Sequence, residues 1–294
     1  MSSVLRTVVG VVRSVAAWLW AALALPPLTL VSLVALPFDP HQRMHDLSST
    51  LWMKGILWLS GIRVVVQGAE HVRREHHYIV ACNHQSLVDI LAVLSTLQPL
   101  TPVRFMAKRS LFYVPVFGLA MRAFGHVPVD RARGRGLLRE IKLAKERVQK
   151  GVSYVFFPEG TRSLDGAMQP FKRGAFWIAL RTGTSILPIT VTGAVEAFPK
   201  GQYFIYGGPV VTLRVHSPLP TAGLGESPEA VDALAARTWD VIAAGLPEPL
   251  RVRSRRTPGQ PPAGGTGAAD GSTLEGAGPP AGVGGGTGRG TAAA

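Results

Sequence analysis

The sequence predicts an α/β layered fold behind an N-terminal membrane-associated helical segment, and three observations carry that prediction. From Arg63 onward, short runs rich in β-branched residues alternate with helical patterns, as strands and helices packed in layers require. Between Arg13 and Asp39 no side chain is charged, and Ala, Leu, Val and Trp dominate. That stretch is long enough to cross a bilayer, which takes about 20 apolar residues. Beyond Pro249 the chain turns to Gly, Pro, Ala, Ser and Thr with no hydrophobic period, the composition of a disordered tail. The predicted organisation is therefore a membrane-embedded or interfacial helical segment at 1–62, a folded α/β domain at 63–248 and a tail at 249–294.

Pro26 and Pro27 interrupt the apolar stretch near its middle. Two arrangements fit: a kinked spanning helix, or two short helices that dip into one leaflet and return. A cleaved signal peptide fits less well, because the stretch exceeds an h-region of about 7 to 15 residues and lacks a clear small-residue exit. Leu47 to Ile62 places Trp52, Ile56, Leu57 and Trp58 around Lys54. Tryptophan beside lysine suits an interfacial helix, and a buried helix of the folded domain fits equally. If both segments meet lipid, Arg6, Arg13, Arg43 and Lys54 gather at the cytoplasmic headgroups, which favours a monotopic hairpin at a cell membrane with the folded domain on the cytoplasmic face.

Within the domain the predicted strands are Val64 to Gln67, Tyr78 to Cys82, Arg104 to Ala107, Tyr154 to Phe157, Ile186 to Val191 and Val210 to Val215. Gly136 to Lys150 is a helix, since Leu137, Leu138, Ile141, Ala144 and Val148 recur near its period while Arg139, Lys142, Lys145 and Arg147 lie off that stripe. Leu111 to Phe124 is a second, with Pro115 and Gly118 disturbing its regularity; its apolar surface reads equally as part of a hydrophobic floor or as core packing. Pro228 to Ala244 is a third.

The 294 residues carry a formal net charge of +13 and 47% hydrophobic side chains. An excess of arginine calls for an anionic partner. Nucleic acid is disfavoured by the want of a zinc-ligand cysteine set, an RNP-like string or a helix-turn-helix signature. An anionic membrane or phosphorylated lipid suits a chain that also holds a long apolar segment. Cys82 is the only cysteine, so no intrachain disulfide can form. Arg-rich and Ala/Gly-rich usage suits a bacterium with a GC-rich genome.

Two blocks carry chemistry. Asn83-His84-Gln85-Ser86, closed by Asp89, follows an apolar strand. A histidine that removes a proton from an alcohol needs a fixed tautomer and a stabilised imidazolium, and a nearby carboxylate supplies both. Five helical steps of about 100° separate two side chains by roughly 140°, so His84 and Asp89 do not share one face of a continuous helix. The spacing instead predicts a strand, a loop carrying His84 and a helix beginning near Asp89. The bland alternative is a loop in which Asn83 or Ser86 caps that helix and His84 is solvated. The second block is Phe157-Pro158-Glu159-Gly160-Thr161-Arg162-Ser163. Pro158 and Gly160 shape a turn, and Arg162 presents a fork suited to phosphate oxygens. Glu159 would repel phosphate, so it either holds a hydroxyl or fixes an arginine; a structural Glu159 to Arg162 pair is the alternative.

These strings together, NHQSLVDI and FPEGTRS, resemble the glycerolipid acyltransferases, and most closely the 1-acylglycerol-3-phosphate O-acyltransferases. The resemblance runs over roughly Val15 to Leu246. It implies a mixed sheet flanked by helices, with His84 as general base and Asp89 as its orienting partner. The implied reaction moves a fatty acyl group from acyl-CoA or acyl carrier protein to the free hydroxyl of lysophosphatidate, forming phosphatidate with no metal and no cofactor. The implied acceptor site contains Glu159, Gly160, Thr161 and Arg162, with Arg131 as a second phosphate contact. Where the family often reads Phe-Ile-x-Arg, this chain has Pro128-Val129-Asp130-Arg131. Lys108 matches a family lysine and reads equally as a phosphate contact or a solvated charge. Lys172 and Arg173 either enlarge this basic basin or occupy the surface at a helix start. Leu187-Pro188-Ile189-Thr190 matches a fourth block, read as a pocket wall or a buried strand edge. Competing readings are an acyltransferase or transacylase for another lysolipid, a silent membrane lipid-binding protein, and a mechanism with Cys82 as an acylated nucleophile.

Overall fold

Residues 3–129, 142–163, 166–199, 201–202, 204 and 210–250 are described by a computed structural model of the chain. The charge-free N-terminal stretch forms one helix, α1 (Ser3–Ala35), with Pro26 and Pro27 inside it. The proline interruption therefore divides no helix in two, and the chain returns only after Ala35, through α2 (Arg43–Leu59). The two helices run antiparallel and exchange tryptophans. Trp20 Nε1 donates to the Trp52 carbonyl and Trp52 Nε1 to the Ala21 carbonyl, both at 3.0 Å. Gly55 makes the approach possible, because a Cβ there would stand 2.2 Å from Trp20 Nε1. Arg13 lies against Gly61, just past the end of α2, while Arg43 begins α2. Of the basic residues expected at the headgroups, Arg13 and Arg43 thus stand at opposite ends of a helix about 25 Å long.

Seven strands form one sheet among the described residues, in the order β1-β7-β6-β2-β5-β3-β4. They are β1 (Arg63–Gln67), β2 (Ile79–Cys82), β3 (Val103–Lys108), β4 (Val127–Val129), β5 (Ser153–Phe156), β6 (Ile186–Thr192) and β7 (Val210–Val215). Only β6 and β7 run antiparallel. The expected strands all form, and β4 is additional: its three residues are too few to show a period. The fourth block sits inside the sheet, since β6 pairs with β2 on one side and β7 on the other. Leu187, Pro188, Ile189 and Thr190 are all buried there.

Helices cover both faces. Residues of α2 and of α3 (Val88–Leu97) share one apolar layer with Val80, Val155 and Leu187, joined by Ala17 of α1 and by the short α7 (Ala194–Ala197). On the other face α5 (142–148), α6 (Gly174–Thr182) and α8 (Pro228–Ala244) pack on Ile79, Tyr154 and Ile186. The predicted Leu111 to Phe124 helix splits at Pro115 into a 3-10 turn, Arg109–Tyr113, and α4 (Phe117–Ala123), with Val116 at φ 61° between them. A proline ring and its missing N–H break the α ladder there. The chain after β2 crosses one face to β3, beyond β5. The chain after β5 crosses the opposite face to β6, beyond β2. Neighbouring strands whose connections diverge in this way open a crevice at their carboxyl ends, where ligands of open α/β sheets bind.

Arg104 ties the hairpin to the domain. Its buried guanidinium donates to Asp46 Oδ1 at 2.6 Å and Gln42 Oε1 at 2.7 Å on the hairpin, and to the carbonyls of Phe124 and Val103. Arg104→Met leaves Asp46 without its partner and should cost about 3–5 kcal/mol, as unpairing a buried ion does. Thermal unfolding of the purified chain in detergent tests this: a lowered midpoint, partly recovered by adding Asp46→Asn, is expected, and an unchanged midpoint would show that the tie is not made.

Candidate active site

Both chemical blocks emerge at that crevice, one from β2 and the other from β5. Asn83 anchors the first by reaching across to β6: its Nδ2 donates to the Val191 carbonyl at 2.9 Å, and its Oδ1 accepts from Val191 N–H at 2.7 Å. The side chain thus satisfies both main-chain groups of a buried residue. His84 follows, with only 6% of its surface exposed, so the solvated-loop alternative does not describe it.

Asp89 lies in the first turn of α3 and is fully buried. Its Oδ2 accepts from His84 Nδ1 at 2.9 Å and from the backbone N–H of Gln85 and Ser86 at 2.6 and 2.7 Å. Two amide N–H groups and the imidazole thus converge on a single carboxylate oxygen. With Nδ1–H directed at the carboxylate, Nε2 is the proton-accepting nitrogen. Ser86 Oγ caps Val88 N–H at 3.3 Å and donates to the Phe198 carbonyl at 2.7 Å.

The second block grips the first by its main chain. Glu159 Oε1 accepts from His84 N–H at 2.7 Å, and Oε2 accepts from Gln169 N–H at 2.9 Å. Ser163 N–H donates to the His84 carbonyl at 2.8 Å. The Phe157 ring stacks on the imidazole, centroids 4.0 Å apart at 24°. Both main-chain groups of His84 and one ring face are therefore fixed by residues about 75 positions away. The Glu159 carboxylate, expected to hold a hydroxyl or an arginine, is 4% exposed and turned to the main chain instead. Burial pushes its pKa up to about 7, against the pull of the two amide hydrogen bonds and helped by the Asp89 charge.

Gly160 adopts φ 74°, a backbone conformation suited to glycine, and Lys172 crosses it: a Cβ at 160 would stand 2.5 Å from Lys172 Nζ. Lys172 N–H also donates to the Pro158 carbonyl at 2.8 Å. Thr161 and Lys172 are exposed, and Arg162 is partly buried. Lys108 ends β3, exposed at the same carboxyl edge of the sheet. Asp130 and Arg131 lie outside the described residues. Arg173 is drawn away to α8, where Nε meets Asp232 Oδ1 at 2.6 Å. Cys82 is buried and its thiol donates to the Asn83 carbonyl at 3.2 Å. Burial first, then the Asp89 and Glu159 charges, push its pKa well up, the reverse of what a nucleophilic thiolate needs.

Beside this site is a partly open cavity of about 480 Å³ lined by α1, α2, α3 and α4. Leu87 and Phe198 line it near the His84 loop, whereas His45, Gln98 and Phe124 line it at the far end of α3. Sequence reasoning anticipated one wall of the cavity, the hydrophobic floor from Leu111 to Phe124, and missed the rest of it, the Phe157 stack and the Asn83 bridge. The apolar residues at Leu87, Leu91 and Leu94 were a signal for the first. The other two depend on strand neighbours that a single sequence does not reveal.

A family model described as Acyltransferase matches residues 63–192. A 1-acyl-sn-glycerol-3-phosphate acyltransferase of Chlamydomonas reinhardtii is 30% identical over 245 residues, 81% of this chain and 71% of that protein. A chloroplastic protein of that name from Brassica napus is 36% identical over 184 residues, 62% of this chain. This chain spans about half, 52%, of the Brassica protein's length. The human alpha form is 37% identical over 190 residues, 64% of this chain and 65% of its own. Among solved structures, the 1-acyl-sn-glycerophosphate (LPA) acyltransferase PlsC from Thermotoga maritima superposes with a TM-score of 0.71 at 27% identity, covering 85% of this chain and 100% of that one.

Glu159 makes stability depend on pH. With the folded carboxyl held at about 7 against an ordinary 4.5, the folded state keeps a proton that the unfolded chain releases. The stabilising contribution is complete below about 4.5 and is lost as pH rises through about 7. Thermal midpoints across that window should fall in the parent chain by an increment that Glu159→Gln lacks; parallel curves for the two proteins would contradict the assignment.

Proposed function

The chain belongs to the Acyltransferase family, and from that premise we propose that it acylates the free hydroxyl of 1-acylglycerol-3-phosphate, forming phosphatidate for phospholipid biosynthesis. The observation that carries this reading is the buried His84–Asp89 pair at 2.9 Å, braced through the main chain of His84 by Glu159 and Ser163. Such a pair suits one task well. His84 Nε2 takes the acceptor's hydroxyl proton as the oxygen attacks the carbonyl carbon of a thioester on coenzyme A or acyl carrier protein. Asp89 stabilises the imidazolium, the C–S bond breaks, and the proton passes to the departing thiolate. The acyl group goes directly from sulfur to oxygen, in keeping with the suppressed thiolate character of Cys82.

The acceptor's phosphate needs cations at the same edge, which Arg162 and Lys108 supply, and the sequence motif alone adds Arg131 to them. Lys172, lying across Gly160, adds a fourth. Glu159 contributes indirectly, as the brace of the His84 loop. The apolar cavity along α3 suits a fatty acyl chain: it begins three residues past His84, and α3 rises about 15 Å over ten residues, the span of a chain of about twelve carbons.

The hairpin brings the site to its substrate. α1 is long and apolar enough to cross a membrane over Thr7–Ala35, and its outer side chains, including Leu19, Leu23 and Leu30, are exposed, as are Phe38 and Trp58. With cations at both ends of α2, the hairpin fits embedding in one leaflet, with the domain on the cytoplasmic face of the cell membrane.

His84→Ala should lower acyl transfer by about 10²- to 10⁴-fold, the range of positioned acid-base groups, in membranes containing equal amounts of each protein. Near-normal turnover would remove the base assignment. A panel of labelled acyl-CoA and acyl carrier protein donors with different lysolipid acceptors should give phosphatidate selectively. Acylation confined to zwitterionic or other lysolipids would redirect the reading to a different acceptor.

A further inference from the structure

Away from the catalytic crevice, a groove of about 440 Å³ lies between the start of α2 and the 98–102 loop. It is at the opposite edge of the sheet, because Pro102 of the groove precedes β3 whereas His84 follows β2. His41, Arg43 and Arg74 line it and all three are exposed. Neither guanidinium has a hydrogen-bond or ion-pair partner among the described residues. The acids nearby are already engaged. Asp46 pairs with Arg104 at 2.6 Å, and Asp39 Oδ2 accepts from Met44 N–H at 2.7 Å. Gln98 Oε1 accepts from Ser49 and Thr50, which leaves the amide nitrogen as the donor end of that side chain.

The same groove is also apolar. Leu47 lines it with 62% of its surface exposed, and Phe38, in the preceding turn, is 86% exposed. Arginines that make no direct ion pair, Arg43 sharing only the longer-range field of Asp39, beside exposed hydrocarbon match an anionic amphiphile better than a freely soluble anion. We propose that this groove binds the phosphate headgroup of an anionic membrane lipid, with Arg43 and Arg74 gripping the phosphate and Leu47 and Phe38 meeting the acyl region. It holds the turn end of the hairpin at the bilayer surface, apart from the reacting lysolipid. This rests on the membrane-associated hairpin of the preceding section.

Flotation of the full chain with phosphatidylcholine vesicles, and with vesicles containing about one-third phosphatidylglycerol, tests it. The parent chain should prefer the anionic vesicles. Arg43→Gln with Arg74→Gln should reduce that preference by about 25-fold, roughly five-fold for each basic residue near an anionic surface, while binding to phosphatidylcholine and acyl transfer in neutral detergent micelles stay unchanged. A matched loss of charge on the other face, Lys150→Gln with Arg237→Gln, should change the preference much less. Equal effects from the two pairs would overturn the groove in favour of net charge alone. So would uptake of inorganic phosphate without vesicles, abolished by the Arg43 and Arg74 changes, since the site would then be one for a soluble anion. Failure of the parent chain to bind either vesicle would instead refute the membrane-associated hairpin, and the groove with it.

Discussion

The site depends on one constraint: the main chain of His84 is pinned from both sides by a segment about 75 residues later. Its N–H meets the Glu159 carboxylate and its carbonyl meets Ser163 N–H. A loop at a strand end would ordinarily sample several conformations. Here the buried carboxylates remove that freedom, because Glu159 needs the His84 amide as much as the loop needs Glu159. Asp89 takes up the next two amides and the imidazole. Strand neighbours β2 and β5 make the arrangement possible by delivering the two blocks side by side, and their diverging connections leave the crevice open.

Much of this was legible in the sequence, for identifiable reasons. Short runs of β-branched residues report strands buried on both faces, as in β2 and β6, which is why those elements form where expected. The angle argument between His84 and Asp89 fixed the loop-to-helix junction, because side-chain direction follows from backbone geometry alone. Glu159 was harder. From the sequence a glutamate inside the turn that Gly160 closes on Phe157 has only nearby partners to choose from, such as Arg162. Its actual partners, the amides of His84 and Gln169, come from folding. That α1 runs on through Pro26 and Pro27 was one of two arrangements the sequence left open, since proline's local cost is outweighed when a helix packs against a partner such as α2. Arg131 belongs to residues whose placement is not described, so its role rests on the motif.

The hairpin and domain are chemically interdependent as well as joined. Tryptophan exchange holds α1 to α2, Arg104 holds α2 to β3 and Phe124, and the apolar cavity lies among these elements. The two helices that would embed the protein in lipid thus also supply part of the lining of the cavity that would receive an acyl chain, together with α3 and α4. A lipid acceptor could then reach His84 without leaving the bilayer surface, while a thioester donor approaches from water. The arrangement gives the long apolar segment a part in substrate access in addition to attachment.

The central claim is that His84 and Asp89 act as one proton-transfer unit on a phosphorylated lysolipid. A double-mutant cycle on kcat/KM for lysophosphatidate, comparing His84→Ala, Asp89→Ala and the combined variant, tests it most directly. Residues that work as a unit lose their effect together, so the double variant should be no slower than His84→Ala alone. Losses that multiply, with the double variant slower by the product of the two single effects, would contradict the account.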